Sequence, residues 1–570
     1  MLNRLCALFL LTAAFLAAED LAYPSVTIEN TVARAVVSSY RGGLDRLEIK
    51  GVKPLALPKH LQREGDGADA DVAVLGAFWQ PPTKATVAAG TNLHNWLMND
   101  AATPTYGLSK QDFAPWTVVP GSQTADAVSF TYRSPKGLVY TMAYRMDAKR
   151  PTVHSRLTIR NESAAPLTFT PYLLPINGIH QDYGPNEVGY ANYVWHTAGA
   201  AHGKTFPSDG TPVQIGEGLA KDYVGVKSRF FAAWFTPGRL SVDGDEAAVP
   251  VAPTPAGPAA TGPGATVPMV AAPTSAWRAD VAGFFSKPHA DHQAYLTVTY
   301  APLQVPVGRT LTQEWSLTGT SLTHQALLLV DEPERRLAVT DWMHSLFLVL
   351  TSGMTWVLDL LVKVVVNYGV AVVLLTLLIK AVLFKLTWKQ HSSMLKMQKL
   401  APELKYLQEQ YKNDKQQLAL KQMELWKKNG VNPLGGCLPM LIQIPIFIAL
   451  YNTFNYSADM RGHSFLWIPD LTLPDQVWGV AVPFLNHWVL SFNPLPILYI
   501  IATAVMSFTQ PIPPSTDEQQ EQMAKMMRWM PIVFGFIFYN MPSGLVLYFT
   551  ANAVLSTIEV KFIRRKLGVN

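Results

Sequence analysis

The chain has 570 residues, 49% of them apolar, with a mean hydropathy of +0.12 and a formal net charge of +5. The apolar residues crowd into the N-terminal end and the C-terminal third, which excludes a wholly water-soluble protein. The basic residues gather beside those stretches instead of forming one patch, which excludes a nucleic-acid footprint. The two cysteines, Cys6 and Cys437, both fall in apolar stretches, so no disulfide braces the soluble part.

In chain order, Arg4, an apolar run to Ala18, and then Glu19 and Asp20 form the pattern of an export signal over residues 1–18. The run is short for a full span, and signal anchor and cleaved signal peptide both fit. Residues 19–340 then show short alternating runs, such as Val128 to Tyr132, Val153 to Ile159 and Ala294 to Tyr300, with turn residues between them. This period of two predicts an all-β sandwich. Within it, the Pro/Ala/Gly tract 247–276 lacks periodicity and charge and reads as a mobile loop or a polyproline spacer. His180, Asp182 and Glu187 are the residue types of an acid/base pair, and His289, Asp291 and His292 those of a metal site. Polar residues among Gly and Pro are more simply a surface loop, and no metal or cofactor is implied.

Residues 341–356 combine aromatic and aliphatic residues with few charges and predict an interfacial helix, or an extension of the span that follows. The remaining region, 357–570, carries apolar windows at Val364 to Phe384, Pro433 to Tyr456, Pro494 to Gln510, Trp529 to Met541 and Ser543 to Ile558. A further window, Val477 to Phe492, contains Pro483, Asn486 and His487. Counting it as a crossing would carry Lys561 to Lys566 outside, so it is expected to lie along the outer surface. Five crossings place the lysine-rich segment 385–430, ten lysines against four acids from Lys385 to Lys428, and the C-terminus in the cytoplasm.

In that segment Met397, Leu400, Leu404, Leu407 and Tyr411 repeat every three or four residues, and Leu418 and Leu425 continue the pattern after a break at 412–414. Two antiparallel amphipathic helices would bury this seam. Lys396, Lys399, Lys405, Lys412 and Lys415 would then face solvent, either as a docking surface for anionic lipid, ribosome or nascent chain, or only to fix orientation.

The functional lead is Lys380, a cation inside an apolar window. A charge there costs roughly 2.5–3.5 kcal/mol on insertion scales and asks for a partner or water. It either snorkels to the inner interface or lines a hydrophilic pocket hydrated by Thr376, one turn earlier, and by Gln443 in the next span. Pro439, Pro445, Pro531 and Pro542 bend helices, as walls around a groove would require, and are also ordinary in membrane helices.

The stretch Asn432-Pro-Leu-Gly-Gly-Cys-Leu-Pro-Met-Leu-Ile-Gln-Ile-Pro-Ile-Phe-Ile-Ala-Leu-Tyr451, with Met541-Pro-Ser-Gly-Leu-Val-Leu-Tyr548, resembles the YidC-type membrane protein insertases. The resemblance covers the chain from about Asp341 onward with specific motifs and is only architectural before it. It implies a periplasmic β-supersandwich, an interfacial helix, a five-span core in the inner membrane, and a groove open to cytoplasm and lipid. The implied activity is insertion of nascent membrane proteins into the lipid bilayer without catalysis, with the Sec translocon and ribosome as candidate partners. Their apolar segments would leave along Ile444, Pro445, Ile446, Phe447, Phe534, Phe536 and Ile537. Relatives carry an arginine at the position of Lys380, so this chain keeps the charge but lacks the bidentate fork. They often have two tyrosines where this chain has Tyr548-Phe549, so position 549 has no hydroxyl role. A transporter that couples ions or protons through Lys380 is the rival from another class, and the internal repeats such folds show are not evident here.

Overall fold

The computed structural model describes residues 24–39, 42–52, 72–75, 115–169, 172–177, 192–197, 200–206, 213–215, 222–243, 245–246, 277–285, 292–300, 303–330, 348–412, 414–430, 438–481, 489–509 and 518–566. The export segment 1–18, the tract 247–276, and His180, Asp182, Glu187, His289 and Asp291 lie outside them. The described residues form two compact units that meet at Asp341 and Trp342 in sequence, a large β-sheet region and a helical C-terminal part.

The β unit is antiparallel throughout. Its main sheet has ten strands, ordered Ala200–Thr205, Asn192–Thr197, Tyr223–Lys227, Phe231–Val242, Thr310–Ser321, Thr152–Asn161, Leu138–Met146, Ala127–Arg133 and Thr117–Val118, with Asp245–Glu246 paired to the long fourth strand. The alternation seen in the sequence is the cause of this geometry. Along Leu138–Met146, Leu138, Tyr140, Met142, Tyr144 and Met146 are buried while the residues between them are not, so one face of the pleat supplies a core and the other meets water. On the wet face Arg156 reaches Glu314 of the neighbouring strand at 2.7 Å.

A four-stranded sheet, Ser25–Glu29, Ala33–Ser38, Leu44–Ile49 and Val72–Leu75, covers the buried face. At Gly319 the layers approach so near that an added Cβ would lie 2.9 Å from Leu47 Cδ2. The Tyr144 hydroxyl fastens the layers by donating to the Gly42 carbonyl at 2.7 Å. A second four-stranded sheet is built from Tyr172–Asn177, His292–Tyr300, Trp277–Phe285 and Val213–Ile215.

The helical unit contains α1 (Leu348–Val365), α2 (Tyr368–Lys399), α3 (Ala401–Gln410), α4 (Lys415–Lys428), α5 (Leu438–Tyr456), α6 (Pro494–Thr509), α7 (Glu518–Phe538) and α8 (Ser543–Lys566). Two boundaries differ from expectation. The helix expected over 341–356 is described from Leu348 and runs on to Val365. It ends at Val366, whose φ of 58° is rare for a β-branched residue. Asn367 then restarts the chain by accepting the Val370 N–H at 3.1 Å, so the first window begins as helix at Tyr368 rather than Val364. At its other end α2 does not stop near Phe384. No Gly or Pro interrupts the sequence before Lys399, and the helix ends only where Pro402 stands in the first turn of α3.

The predicted hairpin is α3 and α4. Asp414 caps α4 by accepting the N–H groups of Gln416 and Gln417 at 3.1 and 3.0 Å, and Gly430 closes it at a φ of 60°. Its buried seam is shorter than the repeat suggested, Leu400 and Leu404 against Leu425 and Trp426. The window Val477 to Phe492 forms a ribbon, Trp478–Ala481 paired with Val489–Phe492, too short in each strand to cross a bilayer.

Among the described residues, the stretches Tyr368–Lys389 and Ser543–Lys566 are long and apolar enough to span a membrane, and Pro494–Ser507 is a shorter apolar helix. The buried core is gathered at one end of the bundle. It takes Tyr368, Val372 and Leu375 from the start of α2, Leu450 and Phe454 from the end of α5, Leu495 and Tyr499 from the start of α6, Phe538 from the end of α7, and Leu545 to Tyr548 from the start of α8. Met460, Ile468 and Leu471 of the connecting segment 457–476 complete it.

That segment has little regular structure and is held by a set of side-chain and backbone hydrogen bonds. Asp470 accepts the N–H groups of Gly462 and Thr472 and the Thr472 hydroxyl at 2.6–2.8 Å. Its own carbonyl accepts the Ser543 hydroxyl at 2.9 Å. Asp475 accepts the Trp467 indole N–H at 3.1 Å and the Leu495 N–H at 2.7 Å. The N–H groups of Ser543 and Gly544 donate to the carbonyls of Leu473 and Leu471, each at 2.8 Å. The free N–H groups that open α6 and α8 are thereby satisfied by one segment.

Candidate functional site

Lys380 stands about two turns beyond Val372 and little more than one beyond Leu375 along α2, past the apolar core. Residues 380, 384, 387 and 388 share one face of that helix at spacings of four, seven and eight, and 556, 559 and 562 share one face of α8. The two faces meet. Lys380 Nζ donates to Ser556 Oγ at 2.6 Å and to Glu559 Oε2 at 3.2 Å, and the Thr387 hydroxyl donates to Glu559 Oε1. Trp388 packs between Phe384 and Phe562, with ring centroids 5.9 and 6.4 Å away, and flanks the pair with apolar surface. The side chains of Lys380 and Glu559 are 19% and 9% exposed. The lysine therefore neither points freely into apolar surroundings nor stands alone in a wet pocket; it belongs to an ion pair between two helices.

The two residues expected to hydrate it are placed differently. Thr376 is fully buried, and its hydroxyl donates to the Val372 carbonyl of its own helix at 2.8 Å, so it offers nothing to the lysine. Gln443 on α5 lies against the Tyr548 hydroxyl. Its amide nitrogen is buried and makes no hydrogen bond of good geometry among the described residues.

The seven residues proposed from sequence as an apolar path divide into two groups. Ile444, Phe534, Phe536 and Ile537 are exposed on α5 and α7, Phe536 most of all at 73%. Ile446 and Phe447 pack on the core instead, and Pro445 sits within α5. Phe447 lies 5.7 Å from Phe549 and 6.4 Å from Phe538, and Phe538 is 4.9 Å from Tyr499. Phe549 is thus one ring of an aromatic cluster and needs no hydroxyl.

Lys396 and Lys399 are exposed at the end of α2, Lys405 on α3 and Lys412 just after it are exposed as well, and Lys415 opens α4. Lys421 is paired with Glu424 at 2.9 Å, which raises the lysine above its ordinary value and lowers the glutamate below its own. Pro402, Glu403, Tyr406, Leu407 and Leu425 line a cleft of about 400 Å³ beside the seam. No cluster of three or more His, Cys, Asp or Glu that could hold a metal occurs among the described residues.

Residues 360–569, which hold the Lys380 cluster and most of the helices, match the family model described as 60Kd inner membrane protein. The chain is 40% identical over 222 residues to the membrane protein insertase YidC of Pelobacter propionicus, and 42% identical over 207 residues to that of Leptospira interrogans. Over these residues the helical unit is similar to YidC insertases. These alignments cover 38% and 36% of this chain, and 39% and 32% of the two relatives, so well under two thirds of either YidC protein is matched. A crystal structure of an active YidC insertase with its first transmembrane domain resolved aligns over 98% of both chains, at 17% identity and a TM-score of 0.32, a likeness too loose to carry an argument.

Sequence reasoning found the cation of this site and missed its partners. Glu559 lies one residue beyond the last apolar window, Ser543 to Ile558, and the sequence reading gave it no role. The available signal was its spacing: Ser556 and Glu559 stand on one helical face, three residues apart.

Proposed function

We propose that the chain is a membrane protein insertase and chaperone that receives nascent membrane proteins from the cytoplasm and releases them into the inner membrane. The observation that carries the reading is the polar cluster of Lys380, Thr387, Ser556 and Glu559, set between two apolar helices beyond the end of the packed core. A hydrophilic site at that depth lowers the desolvation cost of a polar peptide segment entering the bilayer. The exposed apolar residues Ile444, Phe534, Phe536 and Ile537 offer the following hydrophobic segment a path toward lipid. Transfer of that segment supplies the driving force at roughly 25 cal/mol per Å², and no covalent step is required.

In the same proposal five helices cross the membrane, the β unit is periplasmic, and the hairpin and C-terminus are cytoplasmic. This topology follows from the lysine distribution and the short ribbon at 478–492. The exposed hairpin lysines suit contact with anionic lipid or ribosome, and the Sec translocon is a further candidate partner.

The test is insertion of a short single-span substrate into liposomes carrying the purified protein, together with photocrosslinking from positions 444 and 536 during translation. Lys380→Ala is expected to reduce insertion, and nascent chain is expected at both crosslinking positions. Full insertion by the variant would remove the electrostatic role, and crosslinks to lipid alone would remove the path.

A further inference from the structure

The ion pair at the centre of the site carries a consequence for which substrates it accepts, and this inference rests on the insertase reading. A lone lysine between apolar helices would present a net positive charge and favour acidic segments over basic ones. Here the ammonium of Lys380 is held 3.2 Å from the Glu559 carboxylate, and that carboxylate also accepts the Thr387 hydroxyl from the same helix as the lysine. The formal charges of the pair sum to zero. Both side chains are largely shielded, at 19% and 9% exposure, so solvent screens the glutamate's effect only weakly.

We propose that Glu559 is a specificity-determining residue: it cancels the charge of Lys380 and makes the site tolerant of polar segments of either sign. The reasoning is electrostatic. An ammonium has three N–H donors, and two of those on Lys380 are engaged by Ser556 and Glu559. An incoming carboxylate can take the third and is then attracted by the lysine and repelled by the glutamate. An incoming ammonium meets the reverse combination at Glu559. With the glutamate removed, the first arrangement loses its repulsion and the second loses its attraction. The preference of the site thus shifts toward acid on both counts.

The experiment uses full-length protein in liposomes without an imposed potential and two single-span substrates that differ only in one Asp or one Lys in the leading tail. The readout is the ratio of Asp-tail to Lys-tail insertion, which a general loss of activity does not move. Glu559→Gln is expected to raise this ratio roughly fivefold, the scale of a coupling between contacting charged groups. The exchanged pair K380E/E559K keeps a net charge of zero and is expected to leave the ratio at its unmodified value. An unchanged ratio in Glu559→Gln, with both substrates still inserted, overturns the proposal. If that variant does not fold, a severalfold change of ratio in the exchanged pair overturns it instead. Failure of the unmodified protein to insert either substrate above protein-free liposomes would overturn the insertase reading beneath it.

Discussion

Gly369, the second residue of α2, is a place where one added methyl group should loosen the capped end of the bundle. A Cβ built there falls 2.1 Å from Phe465 Cγ, 2.3 Å from Cδ2 and 2.4 Å from Cβ, where ordinary contact begins near 3.4 Å. The ring must therefore retreat by about 1.3 Å, the difference between those two distances. Rotation about the Phe465 side chain does not provide this, because its Cβ is among the clashing atoms. Backbone movement is resisted as well, since Phe465 and Ile468 exchange two hydrogen bonds of 2.9 Å. Overpacking of this kind costs about 1–3 kcal/mol, while Ala in place of Gly returns at most about 1 kcal/mol of helix propensity and less in a first turn. Gly369→Ala should thus be destabilising by about 2 kcal/mol. Thermal unfolding in detergent, followed by tryptophan fluorescence, measures this, and a cycle with Phe465→Gly, which removes the Cβ as well as the ring, isolates the cause. In the Phe465→Gly background the Gly369→Ala substitution should cost nothing or stabilise slightly. An equal cost in both backgrounds would refute the reasoning.

Asp475 of segment 457–476 and the paired carboxylates of the β unit should respond to acid with opposite sign. In the β unit the Thr310 N–H and then Arg309 hold Asp243 below 3.8, and Lys50 and then Arg34 hold Glu29 below 4.5. Burial pushes Asp147 upward, but the N–H groups of Lys149 and Arg150 outweigh it and leave that group also below 3.8. Such groups bind fewer protons folded than unfolded, so their stabilisation is present above the ordinary carboxylate values and is lost as pH falls through the depressed ones. Asp475 is raised above 3.8 by burial, against hydrogen bonds from Trp467 and Leu495, and its contribution improves as pH falls toward 3.8. Hydrogen exchange across an acid series should show peptides around Asp147 and Asp243 losing protection before those of 457–476, and the reverse order would contradict these assignments. In the hairpin, Leu404→Ala removes a residue only 2% exposed from a four-residue seam, at a cost of about 2 kcal/mol. Tryptic cleavage should rise between Lys405 and Lys428 with the helical core unaffected; an unchanged cleavage pattern would mean the seam does not hold the hairpin.

Much of this architecture could be read before any coordinates. Runs at 128–132, 153–159 and 294–300 alternate because each strand has one wet and one dry face, and they fall within Ala127–Arg133, Thr152–Asn161 and His292–Tyr300. The break at 412–414 marked the start of α4, where Asp414 caps the helix, because capping is a local interaction. What escaped was either non-local or a matter of continuation. Nothing in the sequence places Glu559 beside a lysine 179 residues earlier. Thr376 looked like a hydrating group, but a hydroxyl in a helix can turn to its own backbone, which spacing does not reveal. The length of α2 was underestimated because a change from apolar to basic residues alters the helix's surroundings without ending the helix.

The bonds of segment 457–476 make it a splint. It ties the first turns of α6 and α8 through backbone donors as well as side chains, so those helix ends cannot separate without stranding N–H groups in a dry interior. Helices clamped at one extremity behave like the ribs of a fan: displacement grows with distance from the rivet. Ser556 and Glu559 lie further out along α8 than the core, where a given angular swing produces the wider displacement.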